Sequence, residues 1–278
     1  MYSKPTSPQG IGQVLDGSFR LMGAGWKSIW ALALVAALVA NAGTMYELFT
    51  LDPTGLAANS ASSGPYMALI FGGLIVSMVF YAAITLRLGR IANGEPQGGE
   101  IGVALTRLPA ILGLAICVSL VVMAASIPLF AYVWSMWPNI GVVEVSVACI
   151  LTAPIWLFAI SLCFSQIVLL LERLGPIQAL SSSHRLVWGK WWRTAILLSI
   201  GGVIIIVAYM LAAILGGVGG AVIASGENVL AAAVAMVVVI AAVSLFVGPY
   251  TVALLLAIYW DLKLRKEGGD LAARAEAV

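Results

Sequence analysis

Charge is scarce in this chain: 9% of its 278 residues are Asp, Glu, Lys or Arg. A soluble domain carries roughly 25%, because its surface must face water. A water-exposed globule of this length is therefore excluded. A solvated disordered chain is excluded too, since it needs high charge and little apolar residue. Histidine occurs once and cysteine three times, which argues against a disulfide framework or a protein-only zinc site. No GxSxG, HExxH, Walker or GxGxxG pattern is present. What the chain has in abundance is apolar residue, 62% by count with a mean hydropathy of +1.06. It reads as an integral membrane protein whose surface is mostly lipid.

Crossing a hydrocarbon core takes about 20 apolar residues. Six runs qualify: Ser28 to Leu48, Pro65 to Arg90, Pro109 to Trp134, Val143 to Leu171, Trp191 to Gly217, and Val229 to Leu262. Each is Leu, Ile, Val and Ala all round, the pattern of a lipid-bathed helix. Pro128, Pro154 and Pro249 lie inside runs and are expected to bend helices without ending the spans. Ala40-Asn41-Ala42 has the small-x-small form of a cleavage site, but the run continues to Leu48, so the first segment is expected to stay. Under this topology all 14 basic residues fall on one side, while Glu47, Asp52, Glu144 and Glu227 hold the other. The positive-inside rule then places both termini in the cytoplasm. Trp26, Trp30, Trp188, Trp191, Trp192, Tyr259 and Trp260 mark the cytoplasmic level, and Tyr46, Tyr66, Trp134 and Trp137 the outer one. Trp156 falls near the midplane, where it is expected to fill a helix contact.

The segments before the odd spans share a design. Ile11, Val14, Leu15, Phe19, Met22 and Trp26 fall on one helical face, with Gln13, Asp16, Arg20 and Lys27 opposite. Ile101, Ala104, Leu105 and Leu108 form a second such face, and Ile177, Leu180, His184, Val187, Trp188 and Trp191 a third. Each reads as an interfacial helix and carries Arg-Leu, at Arg20, Arg107 and Arg185. In the even spans a weak point (Gly72-Gly73, Pro154, Gly248-Pro249) precedes a cation and then a glycine: Arg90 and Gly94, Arg173 and Gly175, Lys266 and Gly268. The predicted fold is all-α, a polytopic membrane protein of six transmembrane helices arranged as three repeats of interfacial helix plus transmembrane hairpin. The units run over 10–94, 95–174 and 175–268, with 269–278 as a cytoplasmic tail of one membrane domain.

Three stretches carry a resemblance: GQVLDGSFRLMGAGWKSIW, LERLGPIQALSSSHRLVWGKWWRTAILL and IYWDLKLRKEGGDL. They look like the membrane domain that precedes some bacterial glycerophosphodiester phosphodiesterases and also stands alone in six-span proteins. The resemblance implies a bacterial inner-membrane location and an association with phospholipid chemistry. It brings no catalytic residue, because in the fused proteins catalysis belongs to a separate barrel of about 250 residues, for which these runs leave no room.

The residues themselves offer no catalytic constellation. His184 follows Ser181, Ser182 and Ser183, but local sequence supplies no acid, so it is expected to be a boundary histidine. Gly216, Gly217, Gly219 and Gly220 read as a flexible outer turn, and Cys117, Cys149 and Cys163 as buried small hydrophobes. Asn41, Ser161, Ser165 and Gln166 are the polar groups at depth; Asn41 and Gln166 are expected to bond between helices. No buried acid or base is expected to serve proton or cation coupling. Asp261 and Arg265 are spaced i, i+4 and can pair on one face. Arg20, Arg107, Arg185 and Arg265 are the candidate headgroup ligands, because basic clusters at a cytoplasmic leaflet attract acidic lipid. The expectation is a non-enzymatic inner-membrane protein whose partners are membrane lipids, anionic phospholipid in particular, with no metal, cofactor or nucleic acid. The alternatives are a subunit or scaffold of an envelope complex, and an ion-independent transporter.

Overall fold

The computed structural model describes residues 2, 4–50, 64–136, 141–224 and 229–276. Among these the regular structure is α-helix throughout. Six helical segments are long and apolar enough to cross a membrane: Ile11–Ala40, Gly64–Asn93, Leu108–Met136, Val142–Leu171, Trp191–Val218 and Val234–Lys266. The chain is thus an all-α, multi-pass membrane protein. Asp52, Trp137 and Glu227, used above to define the outer side, lie outside the described residues.

The first of the three expected units departs from expectation. Helix α1 (Ile11–Ala40) runs unbroken, so the interfacial segment and the first span are one helix. Nothing between Gly12 and Trp26 ends it, because the segment has no proline and its glycines are tolerated mid-helix. Its buried stripe is Val14, Ser18, Leu21, Gly25 and Ile29, which shares Val14 with the predicted apolar face but leaves Phe19 exposed. Asn41 then closes α1, its Nδ2 donating to Ala37 O at 2.7 Å. It therefore caps its own helix and does not bridge two.

After the short α2 (Ala42–Thr50), α3 (Gly64–Asn93) returns alongside α1. Lipid offers no hydrophobic drive to join them, so close packing of small residues must do so. Ala33, Ala36, Ala37, Ala82 and Ala83 are buried, and a Cβ added at Gly73 would lie 2.6 Å from the Val39 carbonyl oxygen. Only glycine fits there.

In the second and third of the expected units the short helix is separate. Helix α4 (Glu100–Thr106) precedes α5 (Leu108–Met136), the chain breaking just before Pro109, which lacks a donor. Helix α9 (Pro176–Val187) precedes α10 (Trp191–Ala224), the turn between them using Gly189 at φ 86°. Ile177 and Trp188 are 75% and 64% exposed, as an interfacial helix requires. The glycines at 216–220 form no turn, since α10 continues through them to Ala224.

The fourth span is interrupted twice, giving α6 (Val142–Leu151), α7 (Ala153–Leu162) and α8 (Ser165–Leu171). Pro154 explains the first break, since it cannot donate to the turn before it. The second, at Cys163–Phe164, has no proline; Cys163 Sγ and Ser165 Oγ each turn back onto a carbonyl three residues earlier. Trp156 is 63% exposed and does not fill a helix contact, and Cys149 is likewise exposed, not buried. By contrast Pro128 and Pro249 sit within continuous helices, α5 and α11 (Val229–Glu276).

The chain divides into two compact units. The first joins Gln9–Thr106 to Leu198–Ala257, and rings stack within it: Phe19 on Tyr250 at 4.8 Å, Trp26 on Phe246 at 4.7 Å. The second joins Arg107–Leu197 to Ile258–Val278, and holds α5 to α9, the first turns of α10 and the end of α11.

Candidate functional site

Two fully buried carboxylates, Glu100 and Asp261, correct the expectation that no acid is buried. Each is held between two arginines. In the first unit Glu100 opens α4, and Arg87 and Arg90 stand one turn apart on α3. Arg87 donates to Glu100 Oε2 from Nη2 at 2.7 Å and Nε at 3.2 Å, while Arg90 Nη1 reaches Oε1 at 2.9 Å. The Gly98 N–H donates to Oε1 at 2.7 Å, and Arg87 Nη1 also reaches the Ser28 carbonyl of α1 at 2.7 Å. Burial alone would raise the Glu100 pKa. The Gly98 amide and the Arg87 guanidinium outweigh it and bring it down to about 2. The arrangement fastens α1, α3 and α4 together.

In the second unit Asp261 accepts from Arg193 of α10, Nε at 3.0 Å and Nη2 at 2.9 Å. Arg265 Nε, one turn along α11, reaches Asp261 Oδ2 at 3.0 Å. The i, i+4 pair is therefore present, with Arg193 as a further partner from another helix. Arg265 and Asp261 face away from Tyr259, Lys263 and Lys266 around α11 by the 3.6-residue period.

That latter face of α11 forms one wall of an open cleft of about 240 Å³ in the second unit. Its other walls are Val168 and Glu172 at the end of the fourth span, and Ser182, Arg185 and Leu186 of α9. The spacings explain the convergence. Val168 and Glu172 are i, i+4; Ser182, Arg185 and Leu186 are i, i+3, i+4; Tyr259, Lys263 and Lys266 are i, i+4, i+7. Each set shares one helical face. The sharp turn that brings α9 beside α8 runs through Arg173 at φ 55°, a left-handed conformation uncommon for a side-chain-bearing residue.

Within the cleft, Tyr259 Oη donates to Glu172 Oε1 at 2.6 Å, and Lys263 Nζ donates to the same oxygen at 2.8 Å. Burial pushes the Glu172 carboxyl up, but the Lys263 and Tyr259 hydrogen bonds and the nearby Lys266 charge prevail and lower it. Glu172 is an anion at neutral pH. Arg185 makes one long bond, Nη2 to Ser182 Oγ at 3.4 Å, and Lys266 is exposed. Val168 and Leu186 are buried and give the cleft an apolar floor.

Of the four arginines singled out in the sequence, Arg185 lines this cleft. Arg265 is engaged by Asp261, Arg107 donates to the Arg173 carbonyl at 3.4 Å, and Arg20 pairs with Asp16 at 2.8 Å on an exposed surface. His184 lies against Trp188, ring centres 5.1 Å apart. Sequence reasoning did not join Glu172 and Tyr259 to Lys263 and Lys266, because Glu172 and Lys263 are 91 residues apart. No family model matches this chain, and neither a curated protein nor a solved structure matches it.

Proposed function

We propose that this is a non-enzymatic bacterial inner-membrane protein that binds anionic lipid at the cytoplasmic leaflet. The observation that carries the reading is the cleft: three cations, Arg185, Lys263 and Lys266, against one acid, Glu172, above an apolar floor at the end of membrane-spanning helices. Headgroup phosphates sit at that level, and each nearby basic side chain contributes about 1 kcal/mol toward an acidic leaflet. The exposed Ile177 of α9 and Trp188 just after it suit the same interface. The resemblance to a domain that accompanies phosphodiester-lipid enzymes adds support from sequence.

The orientation rests on the segregation of the 14 basic residues. Reporter fusions at both termini are expected to read as internal, and fusions at Asp52, Asn139 and Gly226, outside the described residues, as external. An internal signal at Asn139 would end the six-span topology.

Lipid retention tests the function itself. Arg185→Gln with Lys266→Gln is expected to reduce co-purified anionic lipid severalfold by mass spectrometry after mild extraction. Lys4→Gln with Arg274→Gln, neither of them among the lining residues of the cleft, should leave it unchanged. Equal retention in the two double variants would reduce the cleft to a generic basic anchor.

One observation favours a second reading. The fourth span is discontinuous at Thr152 and again at Cys163–Phe164, and interrupted helices build substrate paths in transporters. An ion-independent transporter of lipid would use the same cleft as its inner station. Flux of labelled acidic lipid across reconstituted vesicles distinguishes it from a static binder.

A further inference from the structure

The charges of the cleft do more than favour anions in general. Glu172 and Lys263 pair at 2.8 Å, and the Tyr259 hydroxyl is spent as a donor to the same carboxylate. The trio is neutral overall. The polar lining groups outside the trio are Arg185, Lys266 and the Ser182 hydroxyl, with Arg185 and Lys266 exposed. Two positive charges therefore face one another's space with no second acid among the lining residues. Among the described residues Arg185 meets protein through the long 3.4 Å bond to Ser182, so both groups can turn to a shared ligand.

Phosphodiester headgroups bring one negative charge. A phosphate monoester brings about −1.5 to −2 at neutral pH and three acceptor oxygens. Arg presents a planar fork of donors that matches two phosphate oxygens, Lys adds a point charge for the third, and a serine hydroxyl can donate as well. We propose that the cleft is a phosphate-monoester site, whose ligand is a membrane lipid ending in phosphate or a soluble monoester of the same chemistry. The proposal rests on the anionic-lipid reading and names the headgroup class within it. Arg185 and Ser182 of α9 and Lys266 of α11 grip the phosphate. The Glu172–Lys263–Tyr259 trio fixes α11 against the end of the fourth span and so holds Lys266 in place. Val168 and Leu186 form the apolar surface along which an attached chain leaves toward the membrane.

The test uses the full chain in phosphatidylcholine nanodiscs doped with equal mole fractions of phosphatidic acid or phosphatidylglycerol, with bound lipid counted by native mass spectrometry. The extra ligand charge is expected to favour phosphatidic acid by about fivefold. Arg185→Gln with Lys266→Gln should abolish that preference. Both residues are exposed, so folding should survive, and an unchanged helical spectrum confirms it. A third arm offers glycerol 3-phosphate. If it displaces phosphatidic acid at equal concentration, the monoester stands and its source is soluble; if it does not, the monoester stands as a lipid. Equal retention of phosphatidic acid and phosphatidylglycerol would overturn the monoester site while leaving anionic-lipid binding intact. Retention of phosphatidylcholine as strongly as either acidic lipid would overturn both.

Discussion

Glu100→Gln should lower the thermal unfolding midpoint in detergent by about 10 °C. Glu100 is fully buried and accepts from Arg87, Arg90 and the Gly98 amide. Removing one partner of a buried ionic cluster costs roughly 3–5 kcal/mol, because the remaining charges stay desolvated without compensation. For a chain of this size each kcal/mol moves the midpoint by roughly 2–4 °C. The exposed Asp16–Arg20 pair is the control: Asp16→Asn should cost about 0–1 kcal/mol. A pH series adds a second readout. Folding lowers the Glu100 pKa to about 2, so its contribution is complete above the ordinary carboxylate range and disappears as pH falls toward that value. The gap between parent and Glu100→Gln is therefore expected to be full at pH 7 and to narrow steadily below about pH 5. A midpoint unchanged by the substitution, or a gap independent of pH, would mean that Glu100 is not an anion in the folded protein.

How much of this was legible in the sequence depends on the range of the interaction. Spans need only local hydropathy, and five of the six runs read from it begin within a few residues of the helical spans. The exception is the first, where the helix starts at Ile11 and not Ser28, since the polar face of Gln13, Asp16 and Arg20 dilutes hydropathy without ending a helix. The Asp261–Arg265 pair was legible because both partners lie one turn apart on one helix. Glu100 was not. Its arginines are 13 and 10 residues away, beyond a turn that includes Gly98 and Gly99 at positive φ, and helical periodicity stops at such a turn. One signal could have found it: Arg87 and Arg90 at i, i+3 near the end of an apolar span need an acid, and Glu100 is one of two that follow before the next span. The cleft needed three helix faces at once. Each face was visible as i, i+3 or i, i+4 spacing, but their meeting depends on the left-handed turn at Arg173, which no residue type announces.

Asp261 carries the other large effect, and its two arginines should not be equal. Arg265 lies on the same helix as Asp261, so losing it removes a bond that α11 makes to itself. Arg193 lies in the first turn of α10 and brings both Nε and Nη2 to Asp261 Oδ2, tying two helices together. Arg193→Gln should therefore destabilise more than Arg265→Gln. Asp261→Ala should destabilise more than either, by roughly 3–5 kcal/mol, since it leaves two guanidiniums facing an empty site. A double-mutant cycle between positions 193 and 261 is expected to give a coupling in the upper part of the range of about 0.5–3 kcal/mol seen for side chains in one network. The cycle between 265 and 261 should fall lower, nearer the value for a pair along one helix. Because the Asp261 face of α11 points away from Tyr259, Lys263 and Lys266, Arg265→Gln should leave retention of acidic lipid unchanged when measured on folded protein. Loss of lipid in that variant at parental stability would put Arg265 in the headgroup site and remove the division of labour between the two faces of α11.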